Sequence, residues 1–192
     1  SPSQKIKMKN LQIKSPMTIR KSRFVTQYPD KWEKTLPFIK KINTLYKSLI
    51  PLKYKNQFNK ARKIKFKIKG TAFTTVTTNV NVDTKIHKDK GDDEEGFGNL
   101  TVIEKGEYTG GETCIPQYGI GFNVRSGDIL FMDVHEWHGN LPIQLKTPDA
   151  IRLSVVCYLR TNIFKQEMKF SKTDKSKHNA FLKKLTKKIY NI

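Results

Sequence analysis

Two side chains that can bind a metal ion, His87 and Asp89, are separated by a single residue in the segment DTKIHKDKGD. Residues 74–86 before them alternate in polarity, with the even positions the more apolar, which is typical of a β-strand. Side chains two residues apart on a strand point the same way, so an imidazole and a carboxylate could bind one ion without distorting the backbone. A solvated turn is the alternative, because Gly91 and the acidic run 92–95 follow directly.

Two later residues favour the metal interpretation. His138 lies in GDILFMDVHEWHGNLP, and Arg152 opens the alternating segment RLSVVCYLR. Two histidines and one carboxylate leave three coordination positions open, which suits non-haem Fe(II) oxygen chemistry better than a closed structural site. A guanidinium nearby can bind a carboxylate through two parallel hydrogen bonds, as a 2-oxoglutarate co-substrate requires.

A second histidine, His135, competes for the distal ligand position. It precedes His138 by three residues, so strict alternation turns the two side chains to opposite faces. We prefer His138 as the ligand and expect His135 to be a supporting or structural residue.

The charge balance is the strongest signal in the composition. The chain has 37 Lys and Arg against 17 Asp and Glu, a formal net charge of +20. Such an excess indicates a polyanionic partner, and nucleic acid is the one we expect. An AT-rich genome is the alternative explanation, because it raises the content of Lys, Ile and Asn without selection for binding.

The 192 residues suit one domain with a sizeable core and are too few for two. No run of about 18 apolar residues predicts a membrane span, and no apolar block indicates a secretory signal. Cys114 and Cys157 lack metal-ligand spacing and sit in strand-like surroundings. We therefore expect an intracellular monomer with reduced thiols, nuclear in a eukaryote or in the host compartment if viral.

The two ends of the chain are basic and, in part, helical in pattern. Residues 1–22 predict a basic arm, and a helix capped by Asp30 carries apolar residues at three- and four-residue steps until Pro51 stops it. A short second helix is expected over residues 56–61. The segment after residue 160 predicts another helix with a lysine face, in which His178 is solvated. We expect these helices to pack on the outside of a sheet.

Residues 63–69 alternate between lysine and apolar residues, which predicts a half-buried strand. Its lysine face could follow a phosphate backbone, or it could protect an edge strand from pairing with another molecule. The two explanations are equally compatible with the sequence.

Short strands punctuated by glycine fill the rest of the chain to residue 160. Many short strands at such spacing indicate a sandwich or barrel, and a jelly roll is favoured because the ligands come from strands far apart in sequence. The expected fold is mainly β, a double-stranded β-helix (cupin-like) core over 63–160 within one domain 1–192, flanked by 1–62 and 161–192. The predicted strands after residue 70 are Ala72–Ile86, Asn99–Glu104, Glu112–Ile115, Gly119–Val124, Asp128–Val134 and Ile151–Arg160.

With these elements assembled, residues 74–160 resemble the TET/JBP family of Fe(II)- and 2-oxoglutarate-dependent dioxygenases, nearest its viral, protist and JBP-like members. That family oxidises the 5-methyl group of pyrimidines in nucleic acid. The matching segments are HKDKGD, GFGNLTVIEKGEYTGGE, PQYGIGFNVRSGDILFMDVHEWHGNLPI and RLSVVCYLR.

The resemblance implies a role for each matching residue. His87, Asp89 and His138 would hold Fe(II), and Arg152 would pair with 2-oxoglutarate, with O2 as the third reactant. Asp92, five residues after the first histidine, would contact the base. Asn79 and Asn81 share the expected pocket face and could contact the base and the co-substrate, or they could be satisfied as polar lining.

The function we expect is hydroxylation of 5-methylcytosine, with possible further oxidation, or of thymine to 5-hydroxymethyluracil in DNA. The base must be flipped out or single-stranded to reach a buried iron. Two rival hypotheses are the same chemistry on RNA, a nucleotide or a protein side chain, and a non-catalytic basic DNA-binding module.

Overall fold

The computed structural model describes residues 21–163 together with the isolated positions Ile19, Ala180 and Lys183. The contacts divide the chain into Lys21–Phe164 and a second unit made of the two termini, and only the first is described below. The predicted N-terminal arm, the predicted C-terminal helix and His178 lie outside the described residues. None of the helices within the described residues has the length and apolarity needed to cross a membrane.

Three helices open the described unit: α1 (Arg23–Gln27), α2 (Pro29–Leu49) and α3 (Pro51–Ala61). The prediction that Asp30 caps the long helix is wrong, because the cap residue is Tyr28 and Asp30 lies in the first turn. Pro51 both follows the end of α2 and starts α3, since proline is well suited to the first helical position. The second helix therefore begins earlier than residue 56.

Nine strands and one 3-10 turn follow the helices. Eight-residue strands β2 and β9 form the centre of a four-stranded antiparallel sheet of order β1-β9-β2-β6. A three-stranded sheet has the order β5-β4-β7, and β3 pairs with β8. The bounds are β1 Thr75–Val80, β2 Gly98–Lys105, β3 Tyr108–Thr109, β4 Thr113–Ile115, the 3-10 turn Pro116–Tyr118, β5 Ile120–Phe122, β6 Ile129–Met132, β7 Gly139–Asn140, β8 Gln144–Leu145 and β9 Ile151–Tyr158.

The helices cover one face of the four-stranded sheet, as the amphipathic patterns predicted. Tyr46 of α2 is fully buried, stacks on Phe131 at 5.1 Å between ring centroids, and accepts a hydrogen bond from the Phe97 amide. Alternate residues of β9 join this core, including Val155 and the free, fully buried Cys157. The opposite face of β9 is therefore left for other contacts.

Two predicted strands differ from the observed structure by more than two residues, whereas the others differ by at most two at either end. Residues 63–69 form turns, in which Ile64 and Ile68 are buried and Phe66 is partly exposed. The turns bury two of the three apolar residues without forming a strand, so the period of two was misleading, and the edge-strand explanation of the lysines is wrong with it. The strand predicted to reach Ile86 ends at Val80, where Asn81 adopts a positive φ of 50°.

A polar cluster fixes the turn after β2. Glu104 accepts hydrogen bonds from the Tyr108 hydroxyl, the Ser126 amide and the Arg125 guanidinium, whose Nη1 lies 2.9 Å away. The Arg125 guanidinium also stacks on the Tyr108 ring, 4.4 Å from its centroid. Burial alone would raise the pKa of Glu104, but these three donors outweigh it and lower the pKa to about 2.

Because a carboxylate with a depressed pKa stabilises the fold above its unfolded pKa, Glu104→Gln is expected to lower the free energy of unfolding by about 2 kcal/mol at pH 7. The difference from wild type should shrink as the pH falls from about 4.5 towards 2, where Glu104 itself becomes protonated. Urea unfolding at pH 7 and at pH 3 measures this. The exposed Glu107→Gln is the control, and equal losses at both pH values would contradict the assignment.

Candidate metal centre and pocket

A cavity of about 280 Å³ lies on the face of the four-stranded sheet that the helices leave free. The three-stranded sheet supplies Thr113, Gly139 and Asn140 to its wall. The cavity is therefore enclosed between the two sheets. The other lining residues are Thr77, Asn79, Thr84, His87, Asp89, Asp92, Asn99, Leu100, Met132, Val134, His138, Arg152, Ser154, Val156 and Tyr158.

Three predicted ligands meet at this cavity. One ligand atom from each of His87, Asp89 and His138 lies within 4.8 Å of the other two. His87 Nε2 is 3.4 Å from Asp89 Oδ1, and the two imidazole centroids are 4.4 Å apart. The group that could hold a metal among the described residues thus contains His138 and not His135.

Backbone pairing between distant segments positions these ligands. His87 and His138 form an antiparallel bridge, with N–H to O distances of 2.8 and 2.9 Å in the two directions. The Asp89 amide donates to Val134 O at 2.9 Å. The ligands are therefore held by long-range pairing and not by a continuation of β1.

The chain leaves β1 at Asn81 and crosses from the large sheet to the small one. Thr84 N donates to Asn140 Oδ1 at 2.8 Å, and Asn140 N donates to Thr84 O at 3.0 Å. Asp83 accepts from Ile143 N at 2.8 Å. These bonds carry the segment before His87 along β7, next to His138.

Hydrogen bonds fix the tautomer of both histidines. His87 Nδ1 lies 2.8 Å from Lys85 O, and His138 Nδ1 lies 2.8 Å from Glu136 O. A carbonyl oxygen only accepts, so each Nδ1 carries the proton and each Nε2 keeps its lone pair for a metal. Burial also lowers the pKa of His138, and this favours the neutral imidazole. The donor set fits a divalent iron ion with open positions.

Arg152 is almost fully buried, at 5% exposure, and its side chain lines the cavity. It packs closely on Gly111, where a Cβ would lie 2.8 Å from Nε and 2.9 Å from Cδ of the arginine. Gly111 also has a φ of 81°, a conformation that favours glycine. The Arg152 Nη2 atom is buried and has no hydrogen-bond partner among the described residues, so this guanidinium fits an anionic ligand.

Asp92 and Asn79 line the same cavity, whereas the structure does not bring Asn81 to it. The Asn81 side chain is bound to the backbone of the β9 segment: its amide donates to Ala150 O at 3.1 Å, and its oxygen accepts from Arg152 N at 2.7 Å. Its observed contacts are therefore those of a residue that positions Arg152, and they differ from the predicted contact with a co-substrate.

Burial raises the pKa of Asp92 to about 7, and the nearby Asp89 adds to this rise. The loop that carries Asp92 is anchored from behind, because Lys60 Nζ of α3 lies 2.6 Å from the buried Asp93 Oδ1. Asp92 is thus held in place at the cavity by its neighbour.

The structure also places several other charged and aromatic residues around the site. His135 pairs with Asp133, 3.0 Å from its carboxylate, and Arg125 belongs to the Glu104 cluster. Tyr158 does line the cavity, and its hydroxyl is 3.3 Å from that of Thr77. Sequence reasoning did not select the lining residues Thr84, Thr113, Asn140, Ser154 and Val156, although the alternation of β9 could have indicated the last two.

Comparison with known proteins gives concordant results. The profile of the Tet_JBP family, described as the oxygenase domain of the 2OGFeDO superfamily, matches residues 9–161. Thymine dioxygenase JBP1 of Trypanosoma brucei brucei is 32% identical over 172 residues, which cover 84% of this chain and 20% of that protein. Bifunctional helicase and thymine dioxygenase JBP2 of Leishmania infantum is 37% identical over 127 residues, 66% of this chain and 11% of that protein.

The chain therefore spans about a fifth or less of the length of these relatives. Among solved structures, NgTET1 in complex with 5mC DNA is similar with a TM-score of 0.55 at 16% identity, covering 72% of this chain and 54% of that one. This likeness confirms the predicted fold, a double-stranded β-helix core with flanking helices.

Proposed function

This chain belongs to the Tet_JBP family, the oxygenase domain of the 2OGFeDO superfamily, and on that basis we propose that it hydroxylates the 5-methyl group of a pyrimidine base in DNA. Thymine is the first substrate to consider, because the relatives at 32% and 37% identity are named thymine dioxygenases. The observation that carries the proposal is the meeting of His87, Asp89 and His138 in one cavity with the buried guanidinium of Arg152, whose Nη2 has no partner in the described part of the chain.

The superfamily implies Fe(II), 2-oxoglutarate and O2 as reactants. We infer that His87 Nε2, His138 Nε2 and the Asp89 carboxylate hold the iron. When bound, the iron would let O2 oxidise the keto acid and the methyl group together, which converts a methyl C–H bond into C–OH and the keto acid into succinate and CO2. The protein's own contribution is to orient these groups and to exclude water from the cavity.

Arg152 is suited to bind the far carboxylate of 2-oxoglutarate. Its Nη2 atom has an unused donor in a buried position, where a charge-assisted bidentate pair is strong. Gly111 leaves room for the guanidinium, and Asn81 fixes the backbone that carries it. The small residue Ser154, next on the same face of β9, leaves space beside the arginine.

The other end of β9 is suited to the base. Arg152 and Tyr158 share one face of the strand, and at about 3.3 Å per residue they lie roughly 20 Å apart. The Tyr158 ring can pack on the face of a base, while Asp92, which pairs with Arg160 just beyond the end of β9, offers a hydrogen bond to the edge of the base. Asn79 pairs with Ser154 and so lies nearer the Arg152 end of the strand. A base can reach this position when it is flipped from a duplex or comes from a single strand.

5-Methylcytosine is the second candidate substrate. The Asp92 carboxyl can accept a hydrogen bond from the cytosine exocyclic amine as well as from the ring N–H of thymine. The residues around Asp92 are therefore compatible with either base.

Incubation with Fe(II), 2-oxoglutarate and oligonucleotides that contain thymine or 5-methylcytosine, followed by nucleoside mass spectrometry, tests the proposal. We expect 5-hydroxymethyluracil from thymine and no product without 2-oxoglutarate. Oligonucleotides with uracil and unmethylated cytosine are the matched controls, because they lack the methyl group. If neither methylated base yields a hydroxymethyl product while the protein still binds DNA, the proposal is wrong and the non-catalytic binding module is favoured.

A further inference from the structure

Lys88 and Trp137 form a pair on the surface, next to the candidate metal ligands in the chain but facing away from them. In an antiparallel bridge between His87 and His138, the residues directly opposite one another at the next position are Lys88 and Trp137. Because successive side chains point to opposite faces, these two lie outside the cavity that the histidines line. The Lys88 ammonium indeed sits over the Trp137 ring, 5.5 Å from its centroid.

This pair lies beside the accessible end of the cavity. The His87 and Asp89 side chains are 38% and 34% exposed, whereas Arg152 is 5% exposed. His87 and Asp89 are therefore near the opening, whereas His138, at 8% exposure, and the arginine are buried. Since Lys88 lies between His87 and Asp89 in the chain, the pair of Lys88 and Trp137 is part of the rim.

The rim offers both an aromatic surface and positive charge. Trp137 is 50% exposed, which is a large fraction for an indole side chain. It is therefore not a core residue. Lys88 and Lys90 are exposed and alternate with the cavity-facing His87 and Asp89, and the exposed Lys85 lies two residues before His87. Two acidic residues adjoin the pair in sequence: Asp89, beside Lys88, lines the cavity, and Glu136, beside Trp137, is bound by Gln117 Nε2 at 2.8 Å. A polyanion with flat rings complements this surface.

We propose that Trp137 and Lys88 form a contact for the DNA strand next to the target nucleotide, with the indole stacked on a flanking base and the ammonium on its phosphate. This inference rests on the proposed DNA substrate and adds a site outside the cavity. Stacked neighbouring bases are only about 3.4 Å apart, so a base that flanks the flipped nucleotide lies within reach of the rim. Stacking tolerates any base, so this contact would strengthen binding without selecting a sequence.

Fluorescence offers a direct test, because the chain has two tryptophans and the other, Trp32, packs against the core of the helices. In W32F, Trp137 is the sole indole. Titrating the metal-free W32F protein with a thymine-containing single-stranded oligonucleotide should quench its emission. W137F should show little quenching, and the difference between wild type and W137F gives the same information if W32F does not fold.

Heparin is the matched control ligand, because it is a polyanion like DNA but has no bases that could stack on the indole. We expect quenching of Trp137 by DNA and much less by heparin. W137A should weaken DNA binding by about tenfold, the range expected for one stacked base. K88A should reduce the slope of log affinity against log salt by roughly 0.7 to 0.9, the value for one phosphate contact.

The outcomes separate this inference from the proposed function. Unquenched Trp137 in a protein that binds and hydroxylates DNA would overturn the rim contact and leave the activity in place. Equal quenching by heparin and DNA would also overturn it, because charge alone would then explain the response. Base-dependent quenching without any hydroxylated product would support the rim contact and contradict the proposed reaction.

Discussion

Asp89→Ala is expected to reduce hydroxylation of the methylated base by well over about 100-fold and to leave the fold intact. Loss of a residue that merely supports a metal ligand already costs 10–100-fold in affinity or activity, and here a whole ligand is removed. The Asp89 side chain is 34% exposed, so its truncation leaves no buried cavity. Turnover by nucleoside mass spectrometry and bound iron per protein measure the loss of activity and of the metal ligand, and the thermal midpoint measures whether the fold is intact.

Asp149→Ala is the matched control for this experiment. The Asp149 carboxylate is 58% exposed and pairs with Lys105 at 3.4 Å, away from the candidate ligands. It should retain wild-type iron content and turnover, because exposed ion pairs contribute little to stability. Wild-type iron content and turnover in Asp89→Ala would show that the three side chains meet for another reason.

The sequence predicted β9 well because one pattern controls both of its faces. The segment RLSVVCYLR places Leu153, Val155 and Cys157 against the helices, and the intervening positions line the cavity. A buried strand between a core and a pocket has a clear period of two, so the face of Arg152 could be inferred. Its depth could not, since burial depends on the three-stranded sheet that encloses it.

The path from β1 to the ligands was predicted less well. Thr77 and Asn79 line the cavity as the alternation required, but so does Thr84, which has the opposite parity. The change from odd to even cavity-facing positions arises at Asn81, whose positive φ is stabilised by hydrogen bonds to residues 150 and 152. A local pattern cannot reveal a backbone conformation that depends on partners so distant in the chain.

The shortest strands escaped prediction for a related reason. β3, β7 and β8 have two residues each, too few for any period to be visible. They are strands because of their partners, β3 with β8 and β7 with β4. The wall of the cavity that β7 forms, including Asn140, could therefore be recognised only in the folded chain.

Arg152→Met is expected to raise the KM for 2-oxoglutarate by about 100-fold while iron content stays unchanged. Two charge-assisted hydrogen bonds to a carboxylate would be lost, each of which contributes about 1.5 kcal/mol or more. The protein without 2-oxoglutarate should become more stable, because methionine fills the space of the arginine stem and removes a buried charge whose Nη2 has no partner among the residues that the structure describes. Succinate release against 2-oxoglutarate concentration measures the first effect, and thermal unfolding with and without 2-oxoglutarate measures the second.

The combination of weaker co-substrate binding with higher stability of the free protein makes this prediction specific. Substitution of a residue with a purely structural role would lower the stability of the protein. Substitution of a buried charge that serves to bind a ligand raises the stability of the free protein, and the ligand then no longer stabilises it. Arg152→Lys should lie between wild type and Arg152→Met, since an ammonium keeps the charge but not the planar fork. The exposed Arg62→Met, at the end of α3, is the control and should match wild type in both assays. An unchanged KM in Arg152→Met, together with lower stability, would remove this arginine from the co-substrate site.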